Sequence, residues 1–226
     1  MIRRFGACHA LILLAAVLAP ASVASAAVLS GQVQLVTRSG RPITTSGDVV
    51  VIYQPDQGLE NLQPLELEIE TRKKKFTPRV TVLPVGSSVR FPNRDPILHN
   101  VFSVSKGNAF DLGLYRAGAG ETAVFETAGL VRVYCNVHQE MVAYVWVVET
   151  PHTTIADGKG QFRLEGLPDG PGTLTVWHER SDVKVVELAA PRALREPLRL
   201  RAYRPRVPKH LNKFGRSYGR SRRDRY

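Results

Sequence analysis

The sequence predicts an all-β fold, and three observations carry that expectation. Between residues 27 and 202 the apolar positions show almost no helical period. Alternating or β-branched runs recur there at short intervals between Gly, Pro and Asp punctuation, the pattern of a β-sandwich. The runs number fourteen, too many for one small sandwich, while 226 residues suit one or two domains. Composition agrees: 43% hydrophobic and 23% charged describes a folding chain. Two cysteines exclude a disulfide-dense scaffold. No apolar run reaches the ~18 residues that a membrane-spanning helix needs.

Taken in order, residues 1–26 read as a secretory signal. Arg3 and Arg4 form a positive start, residues 10–19 are a short apolar stretch ended by Pro20, and Ala24-Ser25-Ala26 offers small residues for cleavage. Strands are expected near 30–37, 48–54, 65–70, 76–82, 88–91, 99–104, 122–126, 130–135 and 142–149. Further ones are expected near 153–156, 161–164, 173–179, 183–188 and 197–201. The stretch after Glu149 holds about 50 residues of strand-forming chain, too few to bury a comfortable core alone. Strands from Leu65 to Glu149 suffice for a Greek-key sandwich by themselves, which leaves the first two without partners. Pairing the first strands with the last resolves both problems. The expected organisation is therefore a signal (1–26), a split sandwich (27–56 with 151–202), a sandwich inserted in it (57–150) and a tail (203–226). A linear order, with the first strands packed on the middle sandwich, is the alternative.

The formal charge is +11, but residues 202–226 carry nine Lys/Arg against the single acid Asp224. The body is nearly neutral, so the overall charge says nothing of its function. The tail has no apolar periodicity and is expected to be disordered. It suits an anionic envelope surface, or is simply a solvated end; export makes nucleic acid a poor candidate. The run Arg72-Lys73-Lys74-Lys75 reads as a solvated hairpin tip, with steering of an acidic redox partner as the other reading.

After removal of the signal, which contains Cys8, one cysteine remains: Cys135. A lone thiol in an exported chain points to an intermolecular bridge, a reactive group or a metal ligand. Cys135, His138 and Met141 stand at i, i+3 and i+6 where a strand ends, and His99 opens another strand. Two His and one Cys with a weak axial Met is the donor set of an electron-transfer copper site. Zinc, held by three Cys/His ligands and a water, would leave Met141 without a role. His9, His152, His178 and His210 are not in any such spacing. No Ser-His-Asp arrangement, Gly-rich phosphate loop or haem attachment signal is present, so no enzyme activity is expected.

Two family resemblances sharpen this. Gly31-Gln32-Val33, Gly40-Arg41-Pro42-Ile43, Asp157-Gly158-Lys159-Gly160-Gln161-Phe162 and Leu167-Pro168-Asp169-Gly170 resemble the carboxypeptidase regulatory (transthyretin-like) domain, with Leu174 where that family often has Tyr. The resemblance implies an accessory sandwich without catalysis. Val89-Arg90-Phe91-Pro92-Asn93-Arg94 with His99-Asn100-Val101-Phe102, and Tyr134-Cys135-Asn136-Val137-His138 with Met141, are similar to the cupredoxin family of amicyanin and plastocyanin type, as found in methylamine-utilisation proteins. Leu98 departs from the Pro usual before the first His. The resemblance implies copper, cycling between Cu(II) and Cu(I), on His99, Cys135, His138 and axial Met141. It also implies that Asn100 ties the two ligand loops together, and that His138 offers its ring edge to a partner. The expected protein is a periplasmic or extracellular, monomeric carrier of single electrons between redox partner proteins. A copper carrier or a structural envelope module is the alternative.

Overall fold

Seven consecutive apolar residues, Val142–Val148, are all buried, and their alternation decides the architecture. A strand sends successive side chains to opposite faces. Ala143, Val145 and Val147 therefore enter one core, while Val142, Tyr144, Trp146 and Val148 enter another. Such a strand cannot lie on a surface. It must be a wall shared by two packed layers.

The computed structural model of the protein describes residues 27–44, 48–57, 62–204, 207 and 211–216. The expected signal and most of the basic tail lie outside the described residues. Among the described residues there are seventeen strands and no helix. They begin with β1 (Ala27–Val36), β2 (Val49–Pro55), β3 (Glu66–Glu68), β4 (Glu70–Arg72), β5 (Lys75–Thr77) and β6 (Val80–Pro84). Then come β7 (Ser87–Asn93), β8 (His99–Ser105), β9 (Asn108–Tyr115), β10 (Gly118–Phe125), β11 (Gly129–Cys135) and β12 (Val142–Val148). The last five are β13 (Thr153–Ile155), β14 (Gln161–Leu167), β15 (Gly172–His178), β16 (Lys184–Leu188) and β17 (Leu198–Arg201). The fold is all-β.

These strands form four sheets in a stack. The order β10-β7-β4-β5, with β3 beside β7, makes the first, and β6-β12-β11-β8-β9 the second. Phe76, Val89, Phe91 and Phe125 of the first, with Ile69 between β3 and β4, meet Val101, Val131, Val133 and Val145 of the second in one core. The order β13-β2-β15-β16 makes the third sheet and β14-β1-β17 the fourth, closed over Leu29, Leu35, Val51, Tyr53, Leu174 and Val176. The second and third sheets then pack back to back. Phe102, Tyr134, Tyr144 and Trp146 lie against Val50, Ile52 and Trp177. Fully burying one such side chain contributes about 1.5–3 kcal/mol, so this middle cluster binds the two sandwiches firmly. Arg79 adds a polar clamp: its Nε donates to Glu179 Oε2 at 2.7 Å and its Nη1 to the Val142 carbonyl at 3.2 Å.

The pairing crosses the whole chain. β1 lies between β14 and β17, and β2 between β13 and β15, whereas β3 to β12 pair only among themselves. Three features depart from the sequence expectation. β9 was not foreseen, because Asp111 and Gly113 are poor strand residues; it holds because Phe110 and Leu112 pack on the first core. The single run expected over 76–82 is two strands, since Pro78 cannot donate to a ladder. The run over 65–70 is likewise broken at Ile69, so that β3 and β4 each pair with β7.

Gly160 shows how the first and last strands are locked. Its φ is +75°, and a Cβ there would stand 2.0 Å from the Val33 carbonyl oxygen. That closeness accompanies the bond from Val33 N–H to the Gly160 carbonyl at 2.7 Å. Gly160→Ala must both strain the backbone and push β1 away. A loss of about 1–3 kcal/mol or more is expected, read as a lower urea midpoint with an unchanged slope.

Candidate metal centre

Alternation places Val131, Val133 and Cys135 of β11 on the same face, all in the first core. Cys135 therefore points inward at the end of its strand, fully buried. His99, at the start of β8 and two residues before the core residue Val101, is also fully buried. The segment after Cys135 doubles back: Met141 N–H donates to the His138 carbonyl at 3.0 Å and Cys135 N–H to the Met141 carbonyl at 3.4 Å. This closed loop brings His138 over the strand end and keeps Met141 buried in the first core beside Cys135.

The result is a triangle of donors. Cys135 Sγ lies 3.5 Å from His99 Nδ1 and 3.8 Å from His138 Nδ1. The three donor atoms all fall within 4.8 Å of one another. Ligands at roughly 2.0–2.3 Å from a first-row metal, spread at near-trigonal angles, stand about 3.5–4 Å apart. Two imidazole nitrogens and a thiolate at this spacing fit a copper or zinc ion as they stand. His99, Cys135 and His138 are thus brought together by the fold. Met141 lies on the same loop as Cys135 and His138 and in the same core as Cys135.

His99 is aimed by a residue the sequence reading passed over. Its Nε2 lies 3.0 Å from Asp95 Oδ2. Asp95 in turn accepts the backbone N–H groups of Lys73 at 2.6 Å and Lys74 at 2.9 Å. Lys73 and Lys74 form the tip of the β4–β5 hairpin, with φ of +53° and +56°. Left-handed backbone costs an L-residue roughly 1–2 kcal/mol, and the carboxylate bound by both N–H groups offsets it. With the Nε2 proton donated to Asp95, His99 Nδ1 is left as a lone-pair donor facing Cys135. The only sequence signal for Asp95 was an acid four residues before a candidate ligand, and the Pro96 beside it reads as a turn. The hairpin tip is thus a support for the site as well as a solvent-facing loop.

Asn100 is engaged on two sides. The tie to the Cys135 loop runs through its backbone, whose carbonyl accepts the Asn136 N–H at 3.0 Å. Its side chain reaches the other way, donating from Nδ2 to Asp111 Oδ1 and to the Gly113 carbonyl, both at 2.6 Å. Its Oδ1 is buried with no hydrogen-bond partner among the described residues. His152 and His178 are buried in the other sandwich, apart from this cluster.

The electrostatics favour neutral imidazoles. Burial lowers the His99 pKa below the usual histidine range; Asp95 pulls it back in part, and Lys74 adds to the lowering. His138 is lowered by burial first, then by His99 and Lys74. Burial pushes Asp95 up, but the Lys74 and Lys73 N–H bonds and His99 outweigh it and hold the carboxyl below the usual range. All three groups are therefore held in the form a cation needs.

No protein-family model matches the chain, and no curated protein does. Among solved structures the chain is similar to a purple cupredoxin from Nitrosopumilus maritimus, at 26% identity over 36% of this chain and 98% of that one, with a TM-score of 0.32. It is also similar to amicyanin from Paracoccus versutus, at 24% identity over 36% of this chain and 80% of that one, with a TM-score of 0.33. A reduced amicyanin variant stands likewise at 25% identity, with 36% and 80% of the two chains covered and a TM-score of 0.33.

Two outcomes follow from the geometry. Asp95→Asn keeps the shape but removes the carboxylate that orients His99, and metal affinity should fall about 10–100-fold, read by competition with a chelator. In the metal-free protein, both imidazoles bind protons less readily folded than unfolded, where they titrate at about 6.5. The unfolded chain therefore takes up more protons as the pH falls below that value, and stability must fall with it. Urea midpoints compared at neutral and mildly acidic pH, with and without His138→Gln, measure this.

Proposed function

We propose that this chain is an exported type 1 copper protein that passes single electrons between redox partner proteins. The observation that carries the proposal is the His99–Cys135–His138 triangle, two imidazoles and one thiolate at metal-binding spacing. Copper, when bound there, supplies a one-electron couple between Cu(II) and Cu(I). Met141, buried on the same loop, would be the weak fourth ligand. Thiolate and thioether suit the reduced ion, while imidazole suits both states.

The rest of the mechanism belongs to the protein. Cys135 and His99 are fully buried within the sandwich and cannot rearrange cheaply. Asp95 fixes the His99 ring and its tautomer. His138 is the donor that is only partly buried, so its ring edge is the route by which a donor delivers an electron and an acceptor removes one. Beside it Val137 is 47% exposed, and Leu98 and Ile97 also face solvent. These apolar side chains suit brief docking by a partner, with little polar desolvation to overcome.

The pairing of first with last strands supports reading residues 27–56 and 151–202 as one split, transthyretin-like sandwich that holds residues 57–150 as an insertion. The Met1–Ala26 signal supports a periplasmic or extracellular location, and the basic tail supports attachment to an anionic envelope surface. The protein would act as a monomer.

The experiment is visible absorption and electron paramagnetic resonance of the mature protein with Cu(II), beside Cys135→Ser. An intense thiolate-to-copper band with narrow hyperfine splitting, abolished by the substitution, is the expected outcome. A pale spectrum indifferent to the substitution would overturn electron transfer and leave a zinc site or a structural module.

A further inference from the structure

Residues 211–216 belong to the basic segment whose composition suggests no fixed structure, yet they are seated beside the metal centre. They form a turn closed on itself. Asn212 N–H donates to the Arg216 carbonyl at 2.8 Å, and Gly215 N–H to the Asn212 carbonyl at 2.9 Å. Asn212 Oδ1 accepts the N–H groups of Phe214 and Arg216, both at 3.0 Å. Gly215, at φ +71°, permits the tight closure. Two described positions earlier in the segment are held as well. Tyr203 N–H donates to the Arg180 carbonyl at 2.6 Å, and Val207 packs against the middle core.

The turn presents Lys213 at two points. Its Nζ lies 2.7 Å from Asp111 Oδ2, and its backbone N–H donates to Asn136 Oδ1 at 3.2 Å. Asp111 Oδ1 accepts from Asn100 Nδ2, and the Asn100 carbonyl accepts from Asn136 N–H. The four residues make a closed ring of hydrogen bonds: Lys213, Asp111, Asn100, Asn136 and back to Lys213. Asn100 follows His99 directly, and Asn136 follows Cys135 directly. The ring thus spans the two backbones that set the distance between the buried imidazole and the thiol.

We propose that Lys213 is a positioning residue of the metal centre, a latch from the far end of the chain that holds the His99 strand and the Cys135 loop in register. An ion pair at a partly exposed surface contributes little alone. The latch acts by closing the ring, so that neither Asn100 nor Asn136 can shift without breaking a second bond. Asp111 has its other carboxylate oxygen committed to Asn100 and to Gly113 N–H, at 2.6 and 3.0 Å. Lys213 is therefore the member that can leave, and with it goes the link to Asn136. Because an exposed ion pair is screened by salt, the register should loosen as ionic strength rises. Withdrawal of the basic segment onto an anionic surface would have the same effect.

The inference rests on the copper reading above, and the test separates the two. Wild type, Lys213→Ala and Lys213→Arg are loaded with copper, and the thiolate-to-copper band, the reduction potential and the rate of metal loss to a chelator are measured. In parallel, amide exchange at Asn136 is followed by NMR in the metal-free proteins. Lys213→Ala should shift the band and potential and speed metal loss about tenfold. It should also speed exchange at Asn136, whose N–H closes the ring, and Lys213→Arg should restore part of each. High salt should move wild type toward Lys213→Ala and leave Lys213→Ala itself unchanged. If wild type gives no thiolate-to-copper band, the copper reading fails, but Asn136 exchange still decides the latch. Equal Asn136 exchange in wild type and Lys213→Ala would overturn it, as would a copper-loaded Lys213→Ala with unchanged band, potential and metal retention.

Discussion

The burial of β12 on both faces is the constraint from which the rest of the molecule follows. A strand apolar on one face can end a sandwich; this one cannot. Ala143, Val145 and Val147 fill one core while Val142, Tyr144, Trp146 and Val148 fill the next. β2 repeats the device from the other side, with Val49, Val51 and Tyr53 in one cluster and Val50 and Ile52 in another. Four sheets stack because two of their strands bury apolar side chains on both faces: β12 along its whole length and β2 from Val49 to Tyr53. The loop that holds His138 and Met141 joins β11 to β12, so one of its ends runs directly into the strand that is buried on both faces.

That placement explains how a short loop can hold a demanding geometry. A metal centre that changes charge by one unit works best where its ligands cannot relax far. Here the anchoring comes from three directions. Packing fixes Cys135, a buried carboxylate fixes His99, and backbone hydrogen bonds close the loop between Cys135 and Met141. The carboxylate is itself fixed by a hairpin tip whose two lysines adopt an unfavourable backbone shape. Lys73 and Lys74 supply backbone N–H groups, not side-chain charge, to Asp95. The tip could therefore hold the same carboxylate with other residues, and glycine or asparagine would suit its turn better.

Much of this was legible in the sequence, and what was not has a physical cause. Strands written as unbroken runs of apolar, mostly β-branched or aromatic residues, such as those around Val49–Pro55 and Val142–Val148, announced themselves. The Cys135–His138–Met141 spacing is local, and the pairing of early with late strands followed from which segments lacked partners. β9 was hidden because Asp111 and Gly113 serve the site and not the strand: Asp111 binds Asn100, and Gly113, at φ +72°, lets its carbonyl do the same. Asp95 lay within reach of a local reading, but a turn residue next to proline attracts no notice. The Asp111–Lys213 contact joins positions 102 residues apart. No period or motif connects such a pair, and only the folded chain does.

The packing of the second sheet against the third also bears on how this protein can be handled and how it came together. A freestanding sandwich of the strands from β3 to β12 would turn Phe102, Tyr134, Val142, Tyr144 and Trp146 out to water. Cut from its neighbour, that fragment would expose a continuous aromatic face of the kind that drives aggregation. A soluble version would need polar residues along β8, β11 and β12 on that side alone, leaving the ligand-bearing face untouched. The two sandwiches are thus not beads on a string that recombination could shuffle freely. Each has become part of the other's solvent.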